Sequence, residues 1–364
     1  MTAIPESPAD ITAAWCNEVL DLGRVADVRV EDLGAGLGLL GEVVRLHLAY
    51  DGPPGPRTLI VKLQSPAAEN RFLGQVMGFY DREVSFYREV AASVGVRVPA
   101  CHHAAIDPQG APFVLVLEEI TGARTLDQVV GATRADSEAV IDVAVELHAR
   151  YWDSDEVRAL RWLPAINDPL FLAASDLAQQ KLPAYLEHWK GKVPDATLDF
   201  VVALTPHYPA LLQWWVDQGQ LTFAHMDFRA DNFLFGGSAG DGVVTLLDWQ
   251  LSLRGAGVWD VANFLAASIT TEDRRSWEED LVDRYHAGLQ AAGVVGYGRD
   301  RCWRDYRYAI AQQAWSTCPM GDVHPGNERG QLLLDTVTPR YLRAADDLDV
   351  YEVLDLFGQP RRSP

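Results

Sequence analysis

The chain has 364 residues, with 31 Lys and Arg against 51 Asp and Glu, so its formal net charge is −20. The length predicts one large domain or two lobes of ordinary size, and a composition that is 48% apolar and 23% charged is that of a folded globular protein. The acidic balance argues against a nucleic-acid-binding surface, which needs clustered Lys and Arg.

Two further signals narrow the class of protein. The four cysteines form no C-x-x-C pair, which argues against a zinc knuckle and against a disulfide framework. The opening residues carry no basic region followed by an apolar run, and no stretch of about eighteen or more apolar residues occurs anywhere. The sequence therefore predicts neither a secretory signal nor a membrane span, and we expect a cytoplasmic protein.

Strands dominate the first third of the predicted structure. In the stretch EVVRLHLAY, the apolar residues Val44, Leu46 and Leu48 alternate with other residues, which is the period of a half-buried strand. Alternation and β-branched residues predict strands at 28–33, 42–50, 57–64 and 112–117. Apolar residues at helical spacing predict helices at 9–23 and 78–93.

The rest of the chain has mostly helical patterns. In the segment 137–152, apolar residues and one histidine recur at a spacing of three or four, as on one face of a helix. That face carries Ile141, Val145, His148 and Trp152. Residues 221–253 are the exception, and they read as loop and short strands.

This order of elements predicts an α+β fold in two lobes. We place a small β-rich N-terminal lobe at 1–117, a hinge at 118–122 and a large helical C-terminal lobe at 123–364. A cleft between two such lobes is a common place for a ligand.

A glycine-rich motif precedes the second predicted strand. Gly36, Gly38 and Gly41 fit the pattern G-x-G-x-x-G-x-V. In a dinucleotide-binding fold the third glycine must open a helix, whereas Gly41 is followed by a strand. In a kinase-type loop the glycines lie at a hairpin tip, where backbone N–H groups approach phosphate oxygens. On its own the motif is equally consistent with a hairpin that binds no ligand.

A lysine interrupts the third predicted strand. Lys62 lies between Val61 and Leu63, and a buried ammonium needs a partner. Glu83, on the following helix, is the partner that we prefer, because the alternative, Glu89, is nearer the end of that helix. Such a pair can hold the lysine towards the α- and β-phosphates of ATP. The alternative is an edge-strand lysine that reaches water.

The most specific signal is an acidic motif in the second half of the chain. HMDFRADN followed by LLDW gives H-x-D-x-x-x-x-N and then an aspartate after an apolar strand. Phosphoryl transfer needs an oriented acceptor hydroxyl and Mg²⁺. Asp227 can accept the proton of the hydroxyl, and Asn232 and Asp248 offer the oxygen ligands that Mg²⁺ prefers. We interpret His225 as a structural support and Asp231 as a turn residue, with Asp231 as the alternative to Asn232 as a metal ligand.

At these residues the chain resembles small-molecule kinases of the aminoglycoside phosphotransferase and choline kinase group, and most of all their ecdysteroid-kinase-like branch. The matching stretches run in the family's order from about residue 33 to residue 266. They are GAGLGLLGEVVRL, IVKL, REVSFYREV, LVLEEI, LHARYW, HMDFRADN, LLDW and GVWDVANFL. The resemblance implies a bilobal protein-kinase-like fold. It also implies an enzyme that uses ATP and Mg²⁺ to phosphorylate a hydroxyl of an aminoglycoside-, choline- or steroid-like small molecule.

The resemblance also assigns roles to single residues. It makes Asp227 the catalytic aspartate and Asn232 and Asp248 the metal ligands. Lys62 and Glu83 correspond to the phosphate-binding pair, and Gly36, Gly38 and Gly41 to the phosphate loop.

In the hinge, Glu118 and Ile120 correspond to residues that meet adenine through backbone groups, so their side-chain identities carry little information. Asp260 corresponds to an aspartate that supports the catalytic loop, although a helix N-cap is an equally good interpretation. No A-P-E motif follows Asp248, and only 260 − 248 = 12 positions separate it from Asp260. This leaves no room for a protein-kinase activation segment and argues against a protein substrate.

Two alternative functions stay open at this point. The first is a nucleotide-binding pseudokinase or partner-binding module, against which the intact acidic motif argues. The second is a dinucleotide-dependent oxidoreductase, which has only the glycine motif in its favour.

Overall fold

The computed structural model describes residues 3–33, 41–319 and 328–358. The chain divides into two units: unit 1 comprises Met1–Arg124 and Leu234–Leu251, and unit 2 comprises Thr125–Phe233 and Ser252–Pro364. In the described ranges, no helix has both the length and the apolar character that crossing a bilayer requires.

Unit 1 is built around a five-stranded antiparallel sheet with strand order β1-β2-β3-β5-β4. Its strands are β1 (Val25–Asp32), β2 (Gly41–Tyr50), β3 (Thr58–Gln64), β4 (Cys101–Ile106) and β5 (Phe113–Glu118). The alternation predicted for β2 is present, since Val44, Leu46 and Leu48 are buried. They pack in one core with Trp15 and Cys16 of the helix α1 (Ala13–Val19), which covers this face of the sheet.

Two helices follow β3 in unit 1. They are α2 (Ala68–Val76) and α3 (Phe79–Glu89). Gly78 precedes α3 with φ at 65°, a left-handed conformation that glycine adopts without the steric cost of a Cβ atom. The apolar stripe expected for this helix is present, because Phe79, Val84 and Tyr87 are buried.

The segment Leu234–Leu251 belongs to unit 1, although the residues that precede it, Thr125–Phe233, belong to unit 2. Thr245 forms a parallel bridge with Arg97, and the indole of Trp249 stacks on Phe86 with 3.9 Å between ring centroids. The lobe boundaries at 1–117, 118–122 and 123–364 remain a prediction, whereas these contacts group 234–251 with the N-terminal residues.

Unit 2 is predominantly helical. Its helices are α4 (Arg134–Arg150), α5 (Asp155–Ala159), α6 (Pro169–Leu172), α7 (Ala174–Trp189), α8 (Asp195–Leu204), α9 (Tyr208–Gln218), α10 (Val258–Ala267), α11 (Thr271–Ala291), α12 (Arg299–Ser316) and α13 (Glu328–Asp347). Its short strands β7 (Thr222–Ala224) and β10 (Leu253–Gly255) pair antiparallel. The chain crosses between the units within β6 (Arg124–Thr125) and β8 (Phe233–Phe235), and β9 (Val244–Leu246) pairs with β8.

Six 3₁₀ helices complete the described elements, and they span Pro8–Asp10, Thr205–His207, Ala230–Asn232, Gly237–Ala239, Trp249–Leu251 and Val350–Phe357.

The core of unit 2 forms around α10, whose residues are all buried. The helix predicted at 137–152 is α4, and it packs closely against α11, where a Cβ atom at Gly288 would lie 2.6 Å from a methyl group of Val145. With the sheet in unit 1 and the helices in unit 2, the predicted α+β class is confirmed.

An ionic cluster ties α11 to the end of α13. Asp347 accepts bonds from Arg274 and, at 2.7 Å through two nitrogen atoms, from Arg275. Partial burial alone would raise the pKa of Asp347, but the two arginines hold it below its ordinary value. A pKa that is lower in the folded state stabilises the fold at neutral pH, and this stabilisation is lost as the pH falls through the folded-state pKa.

Asp347→Asn is therefore expected to lower the free energy of unfolding by about 2 kcal/mol at pH 7, because two arginines lose a charged partner. Urea denaturation at pH 7 and at pH 3 measures the effect, which should be smaller at pH 3. Asp280→Asn is the matched control, since Asp280 pairs with Arg134 but has 65% of its side chain exposed. Equal losses in the two variants at pH 7 would contradict the prediction.

Candidate functional site

Unit 1 holds a cluster of one ammonium and two carboxylates. Lys62 Nζ donates to Glu83 Oε1 at 2.5 Å and to Asp248 Oδ1 at 3.2 Å. Lys62 is 21% exposed, Asp248 17% and Glu83 3%. The predicted pairing of Lys62 with Glu83 is therefore present, and Asp248 joins it.

The local sequence explains why these groups meet. Along β3, Leu59, Val61 and Leu63 enter the core that α1 covers, so the alternation of the strand turns Lys62 to the opposite face. On that face α3 presents Glu83, and the turn after β9 presents Asp248.

The cluster keeps its lysine charged. Burial would lower the pKa of Lys62, but Asp248 and Glu83 outweigh it and raise that pKa above its ordinary value. Burial raises the pKa of Glu83, and Asp248 adds to this while Lys62 opposes it. Asp248 has a φ of 65°, a left-handed conformation that a non-glycine residue adopts at a cost in free energy.

Of the three glycines in the motif, only the last, Gly41, lies within the residues that the structure describes. Gly36 and Gly38 lie outside the described residues, whereas Gly41 is the first residue of β2 and pairs with Gln64 of β3. A Cβ atom at Gly41 would lie 3.0 Å from the backbone oxygen of Leu63, closer than side chains normally approach. Because Gly41 opens a strand and not a helix, the structure gives no support to a dinucleotide-binding motif.

The side chains of the predicted hinge residues Glu118 and Ile120 make structural contacts within unit 1. Glu118, at the end of β5, accepts from Arg97 Nη2 at 2.6 Å and from the backbone N–H of Ala100 at 3.0 Å. Ile120 is buried. These side chains are engaged by the protein itself, so any nucleotide contact here would use the backbone.

Unit 2 holds the loop that carries Asp227. The loop follows β7 and ends in the 3₁₀ helix Ala230–Asn232. Asn232 Nδ2 donates to the backbone oxygen of Asp227 at 2.7 Å and to its Oδ2 at 2.8 Å. The two residues predicted from the motif are therefore in direct contact, and the carbonyl oxygen of Asn232 is the atom that could meet a cation.

Arg229 is a residue of this loop that the sequence analysis missed. Its Nε lies 3.0 Å and 3.1 Å from the two carboxylate oxygens of Asp227, and its Nη1 lies 2.9 Å from Asp231. The contact could have been predicted from the position of Arg229, two residues after Asp227. A tight turn at this position folds the arginine side chain back towards the aspartate.

Arg229 governs the charge of Asp227. Burial would raise the pKa of Asp227, but the positive charge of Arg229, together with the hydrogen bonds from Arg229 and Asn232, holds that pKa below its ordinary value. Asp227 is therefore a carboxylate at neutral pH, ready to accept a hydrogen bond.

Asp260 supports the start of the loop. It lies in the first turn of α10 and is fully buried. Its carboxylate accepts from the backbone N–H groups of His225 at 2.7 Å and of Met226 at 2.8 Å. His225 Nδ1 in turn accepts from the backbone N–H of Asp227 at 3.2 Å. The geometry thus favours the support role of Asp260 over an N-cap, and it agrees with a structural role for His225.

No group of three or more His, Cys, Asp or Glu side chains is arranged to hold a metal ion by itself in the part of the chain that the structure describes. The predicted ligands Asp248 and Asn232 offer a carboxylate oxygen and an amide oxygen. These donors fit Mg²⁺, which binds few protein ligands and keeps several waters or substrate oxygens.

Several solved structures are similar to this chain. A choline kinase from Cryptosporidium parvum Iowa II is 11% identical, with 95% of this chain and 96% of that chain covered and a TM-score of 0.54. A protein described as an aminoglycoside phosphotransferase of Ralstonia eutropha JMP134 is 16% identical, with 93% and 97% covered and a TM-score of 0.50. At these identities the likeness concerns the fold, which is the predicted protein-kinase-like fold.

No curated protein is a significant match to the chain. The profile of the phosphotransferase enzyme family matches residues 49–299. It does not select a branch, so the ecdysteroid-kinase-like branch remains a prediction. Because the match spans more than half of the sequence, this chain belongs to the phosphotransferase enzyme family.

Proposed function

We propose that this protein transfers the γ-phosphate of ATP, with Mg²⁺, to a hydroxyl group of a small molecule. The observation that carries the proposal is Asp227, a carboxylate with 17% of its side chain exposed, which Arg229 holds ionised and Asn232 orients. Phosphoryl transfer requires little covalent chemistry from a protein, and an oriented acceptor for the hydroxyl proton is the group that it does require.

In the proposed reaction the acceptor hydroxyl donates a hydrogen bond to Asp227. Its oxygen forms a bond to the γ-phosphorus as the bond from that phosphorus to the bridging oxygen of ADP breaks. The hydroxyl proton passes to Asp227 and then to water. The products are a phosphate monoester, ADP and a proton, so charge and atoms balance.

Lys62 is proposed to bind the phosphates of ATP. An ammonium has three N–H donors, and Glu83 and Asp248 accept from two of them. The third can donate to a phosphate oxygen. The backbone of the loop with Gly36, Gly38 and Gly41 is proposed to contact the same phosphates.

The hinge and two oxygen donors complete the proposed nucleotide-binding set. The backbone at Glu118 and Ile120 is proposed to meet adenine, and Asn232 and Asp248 each to supply an oxygen ligand to Mg²⁺. When bound, Mg²⁺ neutralises charge on the phosphate oxygens.

The acceptor is proposed to be a small molecule of the aminoglycoside, choline or steroid type, phosphorylated in the cytoplasm. The chain between Asp248 and α10 consists of a 3₁₀ helix, β10 and a short connection. This stretch is too short to hold the segment with which a protein kinase docks a peptide. The proposed acceptor is therefore a small molecule and not a protein.

The proposal is tested by measuring ADP release with MgATP and a library of alcohols and amino-alcohols. Turnover with at least one acceptor, and a matching gain in mass of that acceptor by one phosphoryl group, would support it. MgATP binding without turnover of any acceptor would count against it and in favour of a silent nucleotide-binding module.

Arg229→Gln should make the enzyme more sensitive to acid. Without the guanidinium, burial dominates and the pKa of Asp227 rises. Since the reaction needs the carboxylate, the fall of kcat at low pH should begin about one pH unit or more higher than in the wild type. A pH–rate profile measures the shift, and an unchanged acid limb would contradict it.

A further inference from the structure

Behind the Asp227 loop, unit 2 contains a chain of buried hydrogen bonds. The hydroxyl of Tyr285 in α11 lies 2.9 Å from His148 Nδ1 in α4, and His148 Nε2 lies 3.1 Å from Asp260 Oδ2. The same Oδ2 accepts from the backbone N–H of His225. Tyr285, His148, Asp260 and His225 are each 0% exposed.

The protons of this chain can be assigned. The Asp260 carboxylate accepts from two backbone N–H groups, so His148 must donate to it through Nε2–H. Burial raises the pKa of the Tyr285 phenol far above its ordinary value, so Tyr285 keeps its proton and can donate it to Nδ1. Each link therefore fixes the orientation of the next.

Close packing fixes the histidine ring in place. A Cβ atom at Gly257 would lie 2.7 Å from His148 Nδ1 and 2.8 Å from the hydroxyl of Tyr285. The missing side chain lets the backbone before α10 approach both groups. In addition, Thr222 of β7 donates its hydroxyl to the backbone oxygen of His148 at 2.8 Å, which joins α4 to the strand leading into the loop.

The loop needs such a support because its backbone is strained. Met226, between His225 and Asp227, has a φ of 66°. A non-glycine residue adopts this conformation at a cost in free energy, so surrounding contacts must hold it. The bond from the Met226 N–H to Asp260 Oδ1 is one of those contacts.

We propose that His148 and Tyr285 are positioning residues, which orient Asp260 and thereby fix the backbone that carries Asp227. The part of this inference that concerns turnover depends on the proposed function. The part that concerns the loop does not.

Tyr285→Phe is the least disruptive test, because it removes one hydroxyl. The matched control is Tyr208→Phe, which removes the hydroxyl of another buried tyrosine of unit 2 that bonds Gln312 at 3.2 Å. With an acceptor from the screen, Tyr285→Phe should lower kcat about threefold to tenfold and leave the KM for ATP unchanged, as small displacements of reacting groups slow catalysis. The control should leave kcat unchanged.

His148 is tested by two substitutions that each keep one of its nitrogen positions. Gln places an amide nitrogen near the position of Nε2 and can still donate to Asp260, whereas Asn reaches only the position of Nδ1. His148→Gln should retain a larger share of the wild-type kcat than His148→Asn, and His148→Asn should lose about tenfold to a hundredfold. If the His148 ring served only to fill space, kcat of His148→Gln would not be higher than kcat of His148→Asn.

Hydrogen–deuterium exchange of the peptide covering 222–230 gives a readout that needs no acceptor. Tyr285→Phe should raise exchange at the His225 and Met226 amides, and Tyr208→Phe should not. Equal exchange in these two variants overturns the inference, whether or not an acceptor is known. Faster exchange with an unchanged kcat on a known acceptor also overturns it. A failed screen combined with faster exchange supports the link to the loop and contradicts only the proposed function.

Discussion

Replacing Asp227 with asparagine is expected to lower kcat by about 10²- to 10⁴-fold, the usual contribution of a group that accepts a proton in the transition state. The amide keeps the shape of the side chain but loses the negative charge that Arg229 and Asn232 hold in place. The KM for ATP should change little, because the groups proposed to bind the phosphates are others. Steady-state kinetics with an acceptor from the screen measures both constants.

Asp231→Asn is the matched control for this change. Asp231 lies four residues further along the loop, also contacts Arg229, at 2.9 Å, and has 35% of its side chain exposed. We expect less than about a tenfold loss of kcat there, because this carboxylate is assigned no contact with the acceptor. Losses of similar size in the two variants would show that Asp227 acts through the charge of the loop and not through the acceptor proton.

Lys62→Met is expected to destabilise the protein and to abolish ATP binding. Removing the ammonium leaves Glu83, which is 3% exposed, as a buried carboxylate beside the second carboxylate of Asp248. Breaking a buried ion pair on one side costs about 3–5 kcal/mol in the free energy of unfolding. Urea denaturation and calorimetric titration with MgATP measure the two effects.

The double variant Lys62→Met with Glu83→Gln separates stability from binding. It removes the unpaired charge, so most of the lost stability should return while ATP binding stays absent. Arg45→Met is a control for loss of a cation in the same sheet, because the carboxylates that Arg45 pairs with are more exposed than Glu83. Glu31 is 36% exposed and Glu119 is 14% exposed. Arg45→Met should cost about 1 kcal/mol or less. A double variant as unstable as Lys62→Met would contradict the assumed burial cost of Glu83.

The sheet of unit 1 was predictable because the period of a strand is local information. The prediction for 42–50 differs from the observed β2 by one residue, since alternation marks where a half-buried strand runs. The assignment of Leu234–Leu251 to unit 1 was not predictable in this way. It depends on contacts such as the bridge from Thr245 to Arg97, between residues far apart in the sequence, which no local pattern encodes.

The same distinction holds in the site. A lysine among apolar strand residues needs a partner of opposite charge. Because the next helix along the chain carries Glu83, the pairing could be predicted from the sequence. Arg229 looks like an ordinary solvated loop residue until the turn brings its Nε onto Asp227. His148 was placed correctly on the buried face of a helix, but its partner Asp260 lies far along the chain and becomes visible only in three dimensions.

The return of Leu234–Leu251 to unit 1 has a consequence for biosynthesis. The five strands of the main sheet have all been synthesised once residue 118 has been added, and they can pair early as the protein leaves the ribosome. The face of Phe86 that stacks on Trp249, and the second carboxylate beside Lys62, must wait until residue 251 has emerged. Until then the nascent chain presents an aromatic surface and an incompletely neutralised lysine, which is the kind of intermediate that chaperones bind.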